Sequence, residues 1–254
     1  MPKTVRRDDL VAYLDRYLRV AEIPDSSPNG LQVQGTDRVA RLAFAVDVSV
    51  KTVRAAAKAR ANFLVVHHGL WWGRHEPIVG NLHARVKALF ESEMSLYAAH
   101  LPLDCHGDVG NNVGLARLLS LRVVEPFGEY KGVKIGVVAS STPSVRLSTL
   151  VEKVERKLTT QARVLGFGPA TVRRVAIVSG GGGAFVEAAV RARCDTLLTG
   201  ESSHAAYHAA EEAGINVIFA GHYATETVGL ESLQRHLRTR FGLAAEFVSA
   251  PTGY

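Results

Sequence analysis

Two adjacent histidines stand where an apolar run ends. The segment FLVVHHGLWW places His67 and His68 directly after a stretch of strand length. A buried imidazole needs a partner, because a buried polar nitrogen left unsatisfied costs about 1–3 kcal/mol. Neighbouring side chains of an extended chain point to opposite sides, so the pair can face two metal ions, or one metal ion and one structural partner. A surface pair, or a hydrogen-bonded pair in the core, is the alternative.

Further histidines and acids are predicted at or just beyond the ends of other strands. Imidazoles and carboxylates without thiolates suit Zn, Mn, Fe or Ni, and a carboxylate can bridge two such ions. A purely structural alternative exists for the last acid, because a carboxylate near the start of a helix interacts favourably with the helix dipole. The donors in this group are His100, Asp104, Glu201, His204, His222 and Glu226.

Local sequence predicts how two of these donor pairs are held. Pro102 lies between His100 and Asp104, which predicts a turn there and excludes a helix. Thr225 is a candidate N-cap, which predicts that His222 lies in a loop just before the helix.

A run of four glycines follows the apolar segment VAIV and precedes a predicted helix. Backbone amides and a helix N-terminus can receive a phosphate in such a loop. A plain tight turn is the alternative, because no Gly-Lys-Ser/Thr follows. The candidate cofactor-binding residues are Gly180, Gly181, Gly182 and Gly183.

Trp71 and Trp72 follow the histidine pair. Either indole could stack on a base near the metal ions. Packing in the core or in a subunit contact is the alternative.

The chain contains an internal repeat. Residues 38–69 align with residues 172–202, and each segment has the pattern of strand, loop, Ala-rich helix and strand. In both copies a second helix then leads to a strand that ends in histidine with an acid four residues later, in AHLPLD and GHYATE. Strands alternating with helices predict α/β layers with mostly parallel pairing, and polar residues at the strand ends predict a crevice there.

We therefore predict an α/β protein of two similar three-layer domains with mostly parallel mixed sheets. The first domain, residues 1–124, carries the HH and HxxxD motifs, and the second, residues 125–254, carries the glycine-rich loop and GHYATE. The C-terminal segment AAEFVSAP can be assigned to either domain.

Composition limits the classes of function. The formal net charge of +6 is a moderate basic bias, which permits attraction to nucleotides or nucleic acid. Two cysteines cannot form a disulfide framework, and the N-terminus MPKTVRRDDL does not resemble a secretory signal. No stretch without charged residues is longer than that at 213–225, which is too short to cross a membrane. We predict a cytoplasmic protein without a membrane partner.

Several motifs together resemble one known family. HHGLWW, AHLPLD with GDVGNNVGLA, SGGGG with CDTLLTGE, GHYATE, and NGLQVQG at 29–35 are similar to the NGG-interacting factor 3-like dinuclear metal proteins, often labelled GTP cyclohydrolase 1 type 2 homologues. The resemblance covers nearly the whole chain. It implies a two-domain α/β subunit, a metal site in the crevice between the domains, a homohexamer built as a trimer of dimers, and two divalent metal ions bridged by a glutamate. The implied ligands are His67, His68, Asp104, His222 and Glu226.

The favoured function is that of a dinuclear metal-dependent hydrolase acting on a nucleotide. The family label implies GTP cyclohydrolase-like ring opening, in which a metal-bound hydroxide attacks C8 of guanine and the glycine loop or arginines hold the phosphates. Candidate proton-transfer residues are His100, Glu201 and His204. The alternatives are a metal carrier or regulatory scaffold without turnover, and a metal-dependent protein that processes or binds nucleic acid.

Overall fold

The computed structural model describes residues 3–73 and 76–254, and the chain forms two compact units. The first unit comprises Met1–Val109 and Leu230–Ala250, and the second comprises Gly110–Gly229 and Pro251–Tyr254. Among the described residues, no helix is long and apolar enough to cross a membrane.

The first unit is built on a five-stranded mixed sheet. Its strand order is β13 (Ala244–Phe247), β4 (Arg41–Asp47), β5 (Phe63–His68), β6 (Ser95–Ala98) and β2 (Gly30–Val33). The first four strands run parallel to one another, and β2 pairs antiparallel with β6. A separate antiparallel ribbon joins β1 (Val5–Arg6) to β3 (Arg38–Val39). The helices are α1 (Arg7–Tyr17), α2 (Val50–Lys58), α3 (Gly80–Glu91) and the short α4 (Leu101–Asp104), with a 3-10 turn at Val20–Glu22.

The second unit is built on a six-stranded mixed sheet. Its strand order is β7 (Arg122–Tyr130), β8 (Val133–Arg146), β10 (Thr171–Val178), β11 (Thr196–Thr199), β12 (Asn216–Phe219) and β9 (Arg163–Gly166). Strands β10, β11 and β12 are parallel, and the flanking pairings are antiparallel. The helices are α5 (Asn111–Leu118), α6 (Leu147–Leu158), α7 (Val186–Arg191), α8 (His204–Ala213) and the first part of α9 (His222–Phe241), with a 3-10 turn at Gly183–Phe185. From Leu230 onward, α9 belongs to the first unit.

The predicted mixed α/β fold and its internal repeat are confirmed. The order β4-α2-β5-α3-β6 of the first unit recurs as β10-α7-β11-α8-β12 in the second. In each copy of the repeat, the last of its three parallel strands, β6 or β12, also pairs with an antiparallel strand, β2 or β9. These parallel strands are nearly continuous apolar runs, as expected of strands buried on both faces.

Local sequence explains where two of the helices begin and end. Ser49 accepts from the backbone N–H of Thr52 at 3.1 Å, and the Thr52 hydroxyl accepts from the Ser49 N–H at 2.8 Å, which is a capping box at the start of α2. Gly214, at φ +62°, ends α8 in the left-handed conformation that glycine adopts without strain.

The predicted division near residue 124 does not match the units of the structure. Helix α5 belongs to the second unit, where Asn112 donates to Ile135 O at 2.7 Å and accepts from Ser179 N at 2.7 Å. The C-terminal segment returns to the first unit, because β13 pairs in parallel with β4. Pairing partners that lie far apart in the chain, rather than local composition, set these boundaries.

Candidate metal centre

The first unit brings together four of the predicted donors. His67 and His68 end β5, His100 follows β6, and Asp104 ends α4. The ligand nitrogens of His67, His68 and His100 lie within 4.8 Å of one another, and His67 Nε2 lies 3.6 Å from Asp104 Oδ2. His67 is fully buried, and Asp104 is nearly so. This group has the spacing and the donor types that could hold a metal ion.

An oxygen atom fixes the orientation of each of these three imidazoles. His67 Nδ1 lies 2.9 Å from Ala99 O, and His68 Nδ1 lies 2.8 Å from Asp47 Oδ1. His100 Nδ1 lies 3.0 Å from both carboxylate oxygens of Asp25. Carbonyl and carboxylate oxygens only accept, so each Nδ1 carries the proton and each Nε2 keeps its lone pair for a metal ion or a proton.

Asp25 holds its position through several backbone and side-chain donors. It accepts from Ser26 N at 2.6 Å, Asn29 Nδ2 at 2.9 Å and Leu101 N at 3.0 Å, besides His100. Burial favours the neutral acid, but the hydrogen bonds and charge of its neighbours, led by His100, outweigh this effect and keep the pKa of Asp25 below its ordinary value. Asp25 is not among the residues predicted from the sequence. The available signal is that it begins a short run of Ser, Pro, Asn and Gly residues, which favour turns.

The short helix α4 corrects the prediction of a simple turn at Pro102. Proline is tolerated in the first turn of a helix, where its missing N–H has no helical partner, and Pro102 occupies that turn. The carbonyl of His100 accepts from Asp104 N at 3.2 Å, so the turn is helical and carries Asp104 back towards His67.

The second unit brings together three more of the predicted donors. Helix α9 begins at His222, so His222 and Glu226 are one helical turn apart, with Nε2 and Oε1 3.1 Å from each other. His222 Nδ1 lies 3.1 Å from Glu201 Oε2, so this imidazole stands between two carboxylates. Glu226 is buried, whereas about half of the Glu201 side chain is exposed. Glu201 thus orients His222, a role that differs from the predicted proton transfer.

Thr225 is not the N-cap of α9. It lies inside the helix, and its hydroxyl oxygen is within 3.0 Å of Gly221 O and 2.9 Å of His222 O. The same oxygen accepts from Gly180 N at 3.0 Å. The helix therefore starts earlier than predicted and carries both His222 and Glu226.

The glycine run forms a tight turn, and two of its amides donate to threonine hydroxyls of the second unit. Gly180 N donates to Thr225, and Gly182 N donates to the Thr199 hydroxyl at 2.8 Å. The following α7 has only six residues. These bonds favour the tight-turn alternative over phosphate binding at Gly180 and Gly182.

Gly180 also leaves room for the donors of α9. A Cβ built at Gly180 would overlap Glu226 Oε1 and approach His222 Nε2 to 3.1 Å, and its φ is +62°. The absence of a side chain here lets the buried carboxylate and the imidazole come together.

His204 stands apart from these donors. It is exposed at the start of α8, where its ring lies edge-on to His208 at 6.0 Å between centroids. Among the described residues, no donor group includes His204. Its predicted part in proton transfer therefore lacks support from the structure.

A mixed α/β fold with imidazole and carboxylate clusters at strand ends defines a class of proteins suited to metal binding. Comparison with known proteins identifies the family. The family model described as Duf34/NIF3 (NGG1p interacting factor 3) matches residues 5–252. The chain belongs to the DUF34/NIF3 family.

Relatives of the chain match over almost their whole length. A protein of Pyrococcus abyssi named GTP cyclohydrolase 1 type 2 homolog is 46% identical over 250 residues, covering 98% of this chain and 100% of the relative. A protein of Deinococcus radiodurans with the same name is 43% identical, covering 98% and 95% of the two chains. The solved structure of TTHA1606 from Thermus thermophilus is 41% identical with a TM-score of 0.89, covering 98% of this chain and 100% of that one.

Proposed function

We propose that this protein is a dinuclear metal-dependent hydrolase that acts on a nucleotide. One observation carries the metal part: the Nδ1 atoms of His67, His68 and His100 each lie 2.8–3.0 Å from an oxygen acceptor. Three imidazoles whose Nδ1 protons are held in this way present Nε2 as a ligand, which is the usual arrangement of metal-binding histidines.

The donor chemistry fits two divalent ions of the Zn, Mn, Fe or Ni type. In the proposal, the residues that would hold the ions are His67, His68, Asp104, His222 and Glu226. Bound divalent ions would supply Lewis acidity, which lowers the pKa of water and stabilises negative charge in a transition state.

The chain itself supplies the orientation of the ligands and a proton carrier. His100 is outside the five proposed ligands, and its Nε2 is among the nitrogens grouped with His67 and His68. In the proposal, His100 Nε2 accepts a proton from the reacting group while Asp25 stabilises the resulting imidazolium through Nδ1–H. Asp47 and Glu201 hold His68 and His222 in the same way.

The name of the relatives, GTP cyclohydrolase 1 type 2 homolog, supports GTP as the first substrate to test. The metal-loaded protein should release formate from GTP and accumulate a ring-opened product. His67→Ala should abolish both metal retention and formate release, whereas His208→Ala, which changes an exposed histidine of α8, should leave both unchanged.

Two measurements separate the hydrolase from its alternatives. A protein that binds metal tightly, exchanges it with a chelator and turns over no nucleotide would be a carrier or scaffold. Metal-dependent cleavage of DNA, or DNA binding that weakens steeply with salt, would favour nucleic-acid processing.

The proposed homohexamer, a trimer of dimers suggested by the family resemblance, predicts six times the subunit mass in light scattering.

A further inference from the structure

Trp72 is exposed beside the histidine cluster of the first unit. Its side chain is 42% exposed, although tryptophan is highly buried on average. Its ring lies edge-on to His100 at 5.0 Å between centroids and tilted to His68 at 5.5 Å. Because Asp25 and Asp47 hold these two imidazoles, the indole rests on side chains of fixed orientation.

The backbone on both sides of Trp72 is anchored to the loop that contains Asp25. Trp71 O accepts from the Ser27 hydroxyl at 3.2 Å, and Gly73 N donates to Ser26 O at 2.6 Å. Trp71 itself packs partly buried against the core of the first unit. The two tryptophans therefore differ in role, because one contributes to packing and the other presents its ring next to the donors.

A cavity of about 660 Å³ adjoins the same segment, and its wall includes Trp71 and Gly73 but not Trp72. This volume lies in the range of small-molecule sites. The wall combines apolar surface with hydroxyl and carboxylate acceptors, formed in part by Ser26, Ser27, Pro28, Glu76 and Ile78. The cavity therefore leaves room for further groups of a ligand whose ring stacks on Trp72.

We propose that Trp72 is the stacking residue of a subsite for a heteroaromatic ring, with the polar end of the ligand directed to the histidine cluster. Stacking on an indole is tolerant of the base because every base presents a π face. The inference rests on the proposed function only in the choice of nucleosides as probes.

The chain has two tryptophans, which gives a direct optical test. In the metal-loaded full-length protein, Trp71→Phe leaves Trp72 as the fluorophore, and Trp72→Phe leaves Trp71. Guanosine, adenosine and cytidine are titrated against each variant with excitation at 295 nm, and ribose 5-phosphate serves as the probe without a ring. We expect saturable quenching in Trp71→Phe by at least one nucleoside, and none in Trp72→Phe beyond the absorption of the probe.

Calorimetry with the quenching nucleoside gives a second measurement. Trp72→Ala should bind it about tenfold or more weakly, because losing one stacked aromatic costs roughly that much, while Trp72→Phe should bind nearly as the parent does. Equal quenching in both single-tryptophan variants, or no quenching of either variant by any of the three nucleosides, would overturn the proposal. Weak quenching of Trp72 fluorescence by acrylamide in the free protein would also overturn the proposal, because it would show that a second copy of the chain covers the ring.

The two proposals fail separately. Formate release from GTP with unchanged KM in Trp72→Ala would reject the stacking role and keep the hydrolase. Nucleoside quenching of Trp72 without any turnover would reject the hydrolase and keep the subsite.

Discussion

Replacing Gly180 by alanine tests whether this position is required for the donors of α9. The new Cβ would overlap Glu226 Oε1 and would stand 3.1 Å from His222 Nε2 and 3.2 Å from Glu226 Cδ. Glu226 is buried, so its carboxylate cannot swing into solvent without disturbing its surroundings. The substitution therefore adds two effects, backbone strain at φ +62° and displacement of a proposed ligand.

Gly214 provides a matched control. Its φ is also +62°, but a Cβ there would meet only Phe167 O at 3.8 Å, an ordinary contact. Left-handed backbone costs a non-glycine residue about 1–2 kcal/mol, which both variants should lose. Overpacking adds about 1–3 kcal/mol, which only Gly180→Ala should lose.

The assay combines thermal unfolding with calorimetric metal binding. For a protein of this size 1 kcal/mol shifts Tm by about 2–4 °C, so Gly214→Ala should lower Tm by several degrees and bind metal as the parent protein does. Gly180→Ala should unfold at a lower temperature still and gain much less stability from added metal. Parental metal affinity in Gly180→Ala would refute the argument, because it would show that Glu226 is either mobile or not a ligand.

Three other changes probe separate parts of the chain. Asp47→Asn should weaken metal binding about 10–100-fold in a chelator competition, because a neutral amide would replace the carboxylate that orients the proposed ligand His68. Burial raises the pKa of Cys194 to about 11, so its reaction with a disulfide reagent at pH 8 should be about a hundredfold slower than after unfolding, and should rise with pH until about pH 11. Ending the chain after Gly242 removes β13 and should make the first unit sensitive to proteases.

Each of these changes has its own control. Asp9→Asn alters an exposed carboxylate and should keep the parental metal affinity. A thiol that reacts equally fast in folded and unfolded protein would contradict the burial of Cys194. Ending the chain after Ala250 keeps β13, and protease sensitivity equal to that of the shorter chain would show that the parallel pairing with β4 contributes little.

The repeat was predictable from sequence because its strands are short apolar runs with Ala-rich helices between them. The antiparallel neighbours β2 and β9 were not predictable, because nothing in their local composition indicates β6 or β12 as their partners. The same reason left β13 unassigned. A strand at the end of the chain joins a strand near its beginning, and only the folded sheet shows this pairing.

The donors were easier to predict than the groups that hold them. Histidines at strand ends are visible as a pattern, whereas Asp25 lies 75 residues from His100 in the chain. Asp47 is a different case. It is the parallel-sheet partner of His68, so knowledge of the register of β4 and β5 would have placed the carboxylate beside the imidazole.

In the two copies of the repeat, the acid that orients a histidine comes from different strands. Asp47 in the first copy aligns with Gly180 in the second, and His68 aligns with Glu201. In the first copy the acid on the first strand orients a histidine on the second. In the second copy the first strand is followed by a glycine that makes room for Glu226, and the acid after the second strand orients His222. An acid at position 180 would overlap the Glu226 carboxylate, for which Gly180 leaves room. The acid that orients His222 therefore comes from another strand end.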